Sequence, residues 1–281
     1  MWQMLQGYRA RVALSLLLVI AEAAGQVALP YVIGRALDDY LADSNRGLVE
    51  LAALGLVTML LATVRRLHDV RLYSRIYERA GEAAFQQEAG LSQRTARLNM
   101  LREVVDFLEH SMPELIASVV AFVGTLVFLF RLSRSVSVAA LLMGALIMAI
   151  YAVSTRRTMT FNQGYNDEYE RQVDVLRQND RALTRRHIGL LNLWTIKLSD
   201  VDAINYALSL VLMIALQVFA IVTSAGQGVD IGTLMSIVLY VFEFSATASL
   251  LPFSWQEYLR LRDILQRLRG VPGGAAEPSS A

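Results

Sequence analysis

The sequence contains no cysteine, so no disulfide and no thiolate metal site can form within it. Its histidines, His68, His110 and His187, lie far apart and never pair at i, i+4, which argues against a zinc site. Lysine occurs once, at Lys197, in the run Thr195-Ile196-Lys197-Leu198-Ser199. A phosphate-cradling loop needs glycines ahead of its lysine, so that backbone N–H groups reach the phosphates. No glycine-rich run precedes Lys197, so this route to ATP is excluded and no cofactor is expected on this chain. Charged residues make up 18% of the chain and the formal net charge is +1, which leaves no footprint for nucleic acid. No grouping of serine, histidine and acid suggests an enzyme active site.

What remains is strongly apolar. Hydrophobic residues account for 55% of the chain and the mean hydropathy is +0.42, above an ordinary soluble domain. A membrane-spanning helix needs roughly 20 apolar residues. Six stretches approach this: Val12 to Gly34, Leu51 to Val64, Pro113 to Phe130, Ser135 to Ser154, Ala203 to Gly226, and Ile231 to Leu251. The second is short, so its helix is expected to begin near Leu48 and to continue into the cytoplasm. The first run is too long for the core of a signal peptide and is read as a retained span. Trp2, Tyr8, Trp194 and Trp255 suit the membrane interface.

The connections alternate in length. Those at 38–43, 131–134 and 226–230 are short, whereas 65–112 and 155–202 are long, free of proline and helical in pattern. The spans are therefore predicted to extend as helices well beyond the bilayer. With the long connections inside, all but Arg35, Arg46, Arg131 and Arg134 of the 26 basic residues are cytoplasmic, and so are both termini. The fold class is an all-α membrane protein, with one domain over 1–270. The small, polar tail 271–281 is expected to be disordered. Heavy use of arginine over lysine points to a GC-rich bacterial source, hence a bacterial inner membrane.

Carboxylates inside spans are the sharpest chemical signal. A central aspartate costs at least ~2.5–3.5 kcal/mol on insertion scales, so acids there face a bundle interior or a wetted cavity. Ser15, Glu22 and Gln26 share one face of the first span; Ser236, Tyr240, Glu243 and Thr247 share one face of the sixth. The two stripes are candidates for a solute pathway or for proton binding, because burial disfavours the charged form of a carboxyl. The alternative is that they only fix helix packing, as Gly25, Gly55 and Gly124 are expected to do.

Several local patterns resemble one family. Leu29-Pro30-Tyr31-Val32-Ile33-Gly34-Arg35-Ala36-Leu37-Asp38 is similar to the L-P-x-x-I-G-x-x-x-D end of the first span in ABC exporters. Gly90 to Arg94 resembles their G-x-x-x-R, and Ile196-Lys197 followed by Asp200 resembles their I-K-x-x-x-x-E. Gly228-Val229-Asp230-Ile231-Gly232-Thr233-Leu234 resembles their G-x-x-x-G-x-L. The chain departs from the family after Arg94, where Thr95-Ala96-Arg97-Leu98 replaces the usual N-D. The resemblance implies a six-helix exporter transmembrane domain with two long cytoplasmic helical extensions. It also implies a homodimer with spans four and five exchanged, and alternating access. No nucleotide-binding segment is found, so ATP hydrolysis is expected from a separate ATPase subunit docked on the extensions. Gly90, Arg94, Asn179, Asp180, Arg181 and Arg185 are the candidate coupling residues. Two rivals stay open: a proton-driven peptide or solute transporter like the SbmA/BacA proteins, and a membrane scaffold or regulatory partner.

Overall fold

The computed structural model describes residues 7–85 and 91–248. Among them every regular element is helical. In chain order these are α1 (Arg9–Leu41), α2 (Arg46–Phe85), α3 (Leu91–Asp106), a π-helical turn (Phe107–Ser111), α4 (Met112–Leu132), α5 (Arg134–Glu170), α6 (Gln172–Arg177), α7 (Arg181–Gly226) and α8 (Ile231–Ala248). Among the described residues, six helical segments are long and apolar enough to cross a membrane. The tail 271–281 lies outside the described residues.

The long connections are continuations of the spans, as the missing prolines predict. Helices α2, α5 and α7 run for 40, 37 and 46 residues, far beyond the roughly 20 that a bilayer requires. The short connections are tight. Asp43 (φ 61°) and Gly228 (φ 67°) take left-handed conformations in the turns after α1 and α7. Ser133, in extended conformation (φ −154°), alone separates α4 from α5.

Two compact units divide the helices: α1 to α4 with α8, and α5 to α7. In the first unit α1 and α2 lie antiparallel. Gly25 stands against Thr58, where an added Cβ would come within 2.6 Å of the threonine hydroxyl; Gly47 stands against the Ala36 backbone. Gly124 of α4 faces Val27 with the same tightness, whereas Gly55 faces open space. Helix α8 packs on α4 through Phe122–Phe244 and Phe128–Tyr240, with ring centroids 5.4 and 5.1 Å apart. Leu72, Tyr73, Ile76, Val104, Val105 and Leu108 form a buried cluster that ties α3 to α2.

Gly34 and Gly232 mark a very close helix crossing in this unit. A Cβ on either would overlap the other's carbonyl oxygen, so two backbones meet where only glycine fits. Asp38, one turn further along α1, accepts a hydrogen bond from the Gly232 amide at 2.7 Å and so caps α8. Ser236 donates to the Pro30 carbonyl at 2.9 Å and Tyr240 to the Val27 carbonyl at 2.8 Å. Two motifs read separately from the sequence are thus the two halves of one joint.

The second unit is a helical hairpin. Ser154 donates to the Asn205 side chain at 2.7 Å, a polar link of the kind that joins helices in lipid. Trp194 packs its ring on Gly164 and carries the Lys197 ammonium 4.3 Å above its centroid. At the tip, Asn179 is left-handed (φ 48°) and the Asp180 carboxylate caps α7 by accepting from the Ala182 and Leu183 amides. Many large apolar side chains, Leu17, Val123, Leu142 and Val222 among them, remain exposed on the spans. Lipid, rather than a core, accounts for such a surface.

Candidate functional site: a charged cavity among the first three spans

A cavity of about 510 Å³ opens in the first unit, walled by α1, α2, the π-helical turn and the start of α4. Its polar lining is dense for a membrane segment. Helix α1 contributes Glu22 and Gln26, and α2 contributes Arg65, Arg66 and Asp69. The π-helical turn contributes Glu109 and His110, and α4 contributes Glu114. A π turn widens a helix by one residue per turn and is frequent at functional sites. Here it presents Glu109 and His110 to the same space as Glu114.

The centre of the site is an ion-paired triad. The Arg65 guanidinium bonds the Glu22 carboxylate through Nε and reaches Asp69 Oδ2 at 3.2 Å through a terminal nitrogen. Gln26 Nε2 lies 3.4 Å from the other Glu22 oxygen. Asp69 is almost wholly buried, and its Oδ1 has no hydrogen-bond partner. Such an atom costs free energy unless something fills the space before it.

The depth of this triad differs from the sequence-based picture. There, Arg65 and Arg66 end the second span. The antiparallel pairing instead sets Arg65 beside Glu22, ten residues and about 15 Å beyond the start of the first apolar run. Charge interrupts the apolar run, but α2 continues alongside α1. Charges at that depth persist when they pair and line a wetted cavity.

The other predicted site residues are placed elsewhere. Ser236 and Tyr240 are buried at the α1–α8 joint, and Thr247 donates to the Glu243 carbonyl within α8. Glu243 itself is exposed and does not line the cavity, so the two carboxylate stripes do not converge within one chain. Ser15 is buried outside the cavity. Gly90 and the side chain of Arg94 lie outside the described residues. Asn179, Asp180, Arg181 and Arg185 are exposed together at the tip of the second hairpin.

Sequence reasoning missed Asp69, Glu109, His110 and Glu114. Asp69, Glu109 and His110 sit beside apolar runs and Glu114 is the second residue of one, and only the helix pairing brings them to Glu22. It also missed a buried pair in the second unit, where His187 Nδ1 and Glu168 Oε1 are 2.7 Å apart. Nineteen residues separate the two, which no helical periodicity links.

Among the described residues, an all-helical architecture with six helices able to span a membrane, several running well past a bilayer's thickness, is that of a polytopic membrane domain. The family of ABC transporter transmembrane regions matches residues 1–233, and the chain belongs to it. No curated protein matches the chain.

Proposed function

We propose that this chain is the membrane-spanning subunit of an ATP-driven transporter, acting as a pair of identical chains with a separately encoded ATPase. The observation that carries this reading is the charged cavity inside the spans of a protein of this family. A helix bundle that only anchored a partner would have no use for buried, ion-paired charge at that depth, which is expensive to keep. Exposed Glu243 supports the pairing of two chains. A carboxylate on the open face of a span belongs against a second chain or a water-filled pathway, rather than lipid. The separate compact unit formed by spans four and five suits their exchange between two chains.

The cavity lining has four carboxylates, Glu22, Asp69, Glu109 and Glu114, against two guanidiniums, Arg65 and Arg66. Its excess negative charge favours a cationic solute. Val19, Ala23, Val70 and Pro113 on the same walls suit an apolar body on that solute. The exposed cluster Asn179, Asp180, Arg181 and Arg185 is the surface on which the ATPase docks.

Purification from native membranes in mild detergent, with mass spectrometry of what accompanies the chain, tests this directly. A soluble ATPase in fixed proportion is expected. Arg181→Glu with Arg185→Glu is expected to cut its recovery at least tenfold while the chain itself still folds, since both side chains are exposed. Recovery of a clean dimer that transports without any ATPase would sink the proposal. That outcome would favour the second reading, a proton-driven transporter, in which Glu109, His110 and Glu114 of the cavity exchange protons. Uptake by the chain alone would then collapse on adding an uncoupler.

A further inference from the structure

A second cavity, of about 380 Å³, lies on the other side of the α1–α2 pair. Its character is opposite to the first. The polar lining is Arg11 from α1 and His68, Arg71 and Arg75 from α2, with no carboxylate. Among the described residues no carboxylate comes within ion-pair distance of Arg11, Arg71 or Arg75. His68 Nε2 lies 3.1 Å from the Arg11 carbonyl oxygen, a contact that links α2 to α1 beside the pocket. Arg71 and Arg75 stand one turn apart on α2, an arrangement of like charges that is unfavourable unless an anion sits between them.

The pocket is also graded along the helices. Antiparallel pairing sets Arg75 and Arg71 level with the beginning of α1, near Arg11. Val64 and Leu67 line the deeper end and are 54% and 51% exposed. A guest here meets guanidiniums at one end and apolar side chains at the other. The basic end faces the cytoplasmic side in the orientation set by the arginine distribution, where anionic head groups lie.

We infer that this pocket binds an anionic phospholipid, its phosphate held by Arg11, Arg71 and Arg75 and the upper part of its acyl chains laid along Val64 and Leu67. The shared chemistry with free phosphate is the oxyanion; the apolar end of the pocket assigns the site to the lipid. This inference stands apart from the transport reading, because it uses none of the residues of the first cavity.

Native mass spectrometry of the full chain tests it, after release from mixed micelles of phosphatidylcholine and phosphatidylglycerol. The wild type is expected to retain phosphatidylglycerol in preference to phosphatidylcholine. Replacing Arg11, Arg71 and Arg75 by glutamine should weaken retention roughly a hundredfold (~3 kcal/mol, at about 1 kcal/mol per basic residue and tenfold per 1.4 kcal/mol). Lysine at the same three positions should keep most of it. The single change Arg71→Gln carries the same comparison, at roughly fivefold, if the triple variant does not fold. Glutamine at Arg156 and Arg157, which lie outside the pocket, should leave lipid retention unchanged. Equal retention of the two lipids by the wild type, or equal phosphatidylglycerol retention by the glutamine variant, overturns the proposal. Displacement of the lipid by inorganic phosphate at matched ionic strength also overturns it, in favour of a free-phosphate site.

Discussion

Replacing Gly34 or Gly232 by valine is expected to remove most of the folded protein from the membrane. A Cβ at Gly34 would run into the Gly232 carbonyl and the Ser236 hydroxyl. One at Gly232 would run into the Gly34 carbonyl and come within 2.6 Å of the Asp38 carboxylate. The obstacle is backbone on both sides, so no rotamer change relieves it and the helices must separate. Overpacking of this kind costs about 1–3 kcal/mol by itself. Separation also strips the cap that Asp38 gives α8, about 1 kcal/mol. The bonds from Ser236 and Tyr240 to α1 add about 0.6 kcal/mol each. The sum, about 3–5 kcal/mol, is comparable to the whole stability of a marginal domain. Yield of monodisperse protein in mild detergent reads the effect. Gly55→Val is the control, because nothing lies near a Cβ there and its yield should match the wild type. Wild-type yield from Gly34→Val would mean that α1 and α8 do not cross at this point.

The second large effect is expected at Arg65. Arg65→Met leaves the Glu22 and Asp69 carboxylates facing the cavity without their shared cation. Breaking a buried pair by removing one partner costs about 3–5 kcal/mol. The lower end applies here, since the Arg65 side chain keeps 22% of its exposure. Glu22→Gln should be milder, because Arg65 still reaches Asp69 and the amide can still accept from it. The double change Arg65→Met with Glu22→Gln should recover part of the loss, since it removes one of the two stranded charges. Thermal melting in detergent separates these cases. Strict additivity of the two single changes would show that Glu22 and Arg65 do not interact. Under the proposed function, Arg65→Met also disturbs the charge balance that a cationic solute meets, so uptake should fall more steeply than stability alone dictates.

Much of the fold was legible because a bilayer imposes a simple rule on sequence. Long apolar runs had to be spans, and long connections without proline had to be helices; α2, α5 and α7 follow both rules. The family motifs were legible as residue types but not as contacts. Nothing in the spacing shows that Asp38 caps the helix beginning at Ile231, because that bond joins residues 194 apart. Nor was the cavity legible. The sequence gives Glu22 its place on a helix face, but Arg65 reads as the end of a span until α1 and α2 are laid side by side. Hydroxyls on a face with Glu243 resembled a pathway lining. Ser236 and Tyr240 point instead to carbonyls of α1, and a hydroxyl that joins two helices has the same periodicity as one that faces water.

The joint between the first and last spans also places a clock on synthesis. At a translation rate of about 5–20 residues per second, the 194 residues between Asp38 and Gly232 take roughly 10–40 s to make. For that interval Gly34 has no partner and the Asp38 carboxylate has no amide to accept from. The newborn chain must wait in the membrane with its first helix unlatched. A ribosome that stalls before Ile231 leaves the latch open for as long as it stalls.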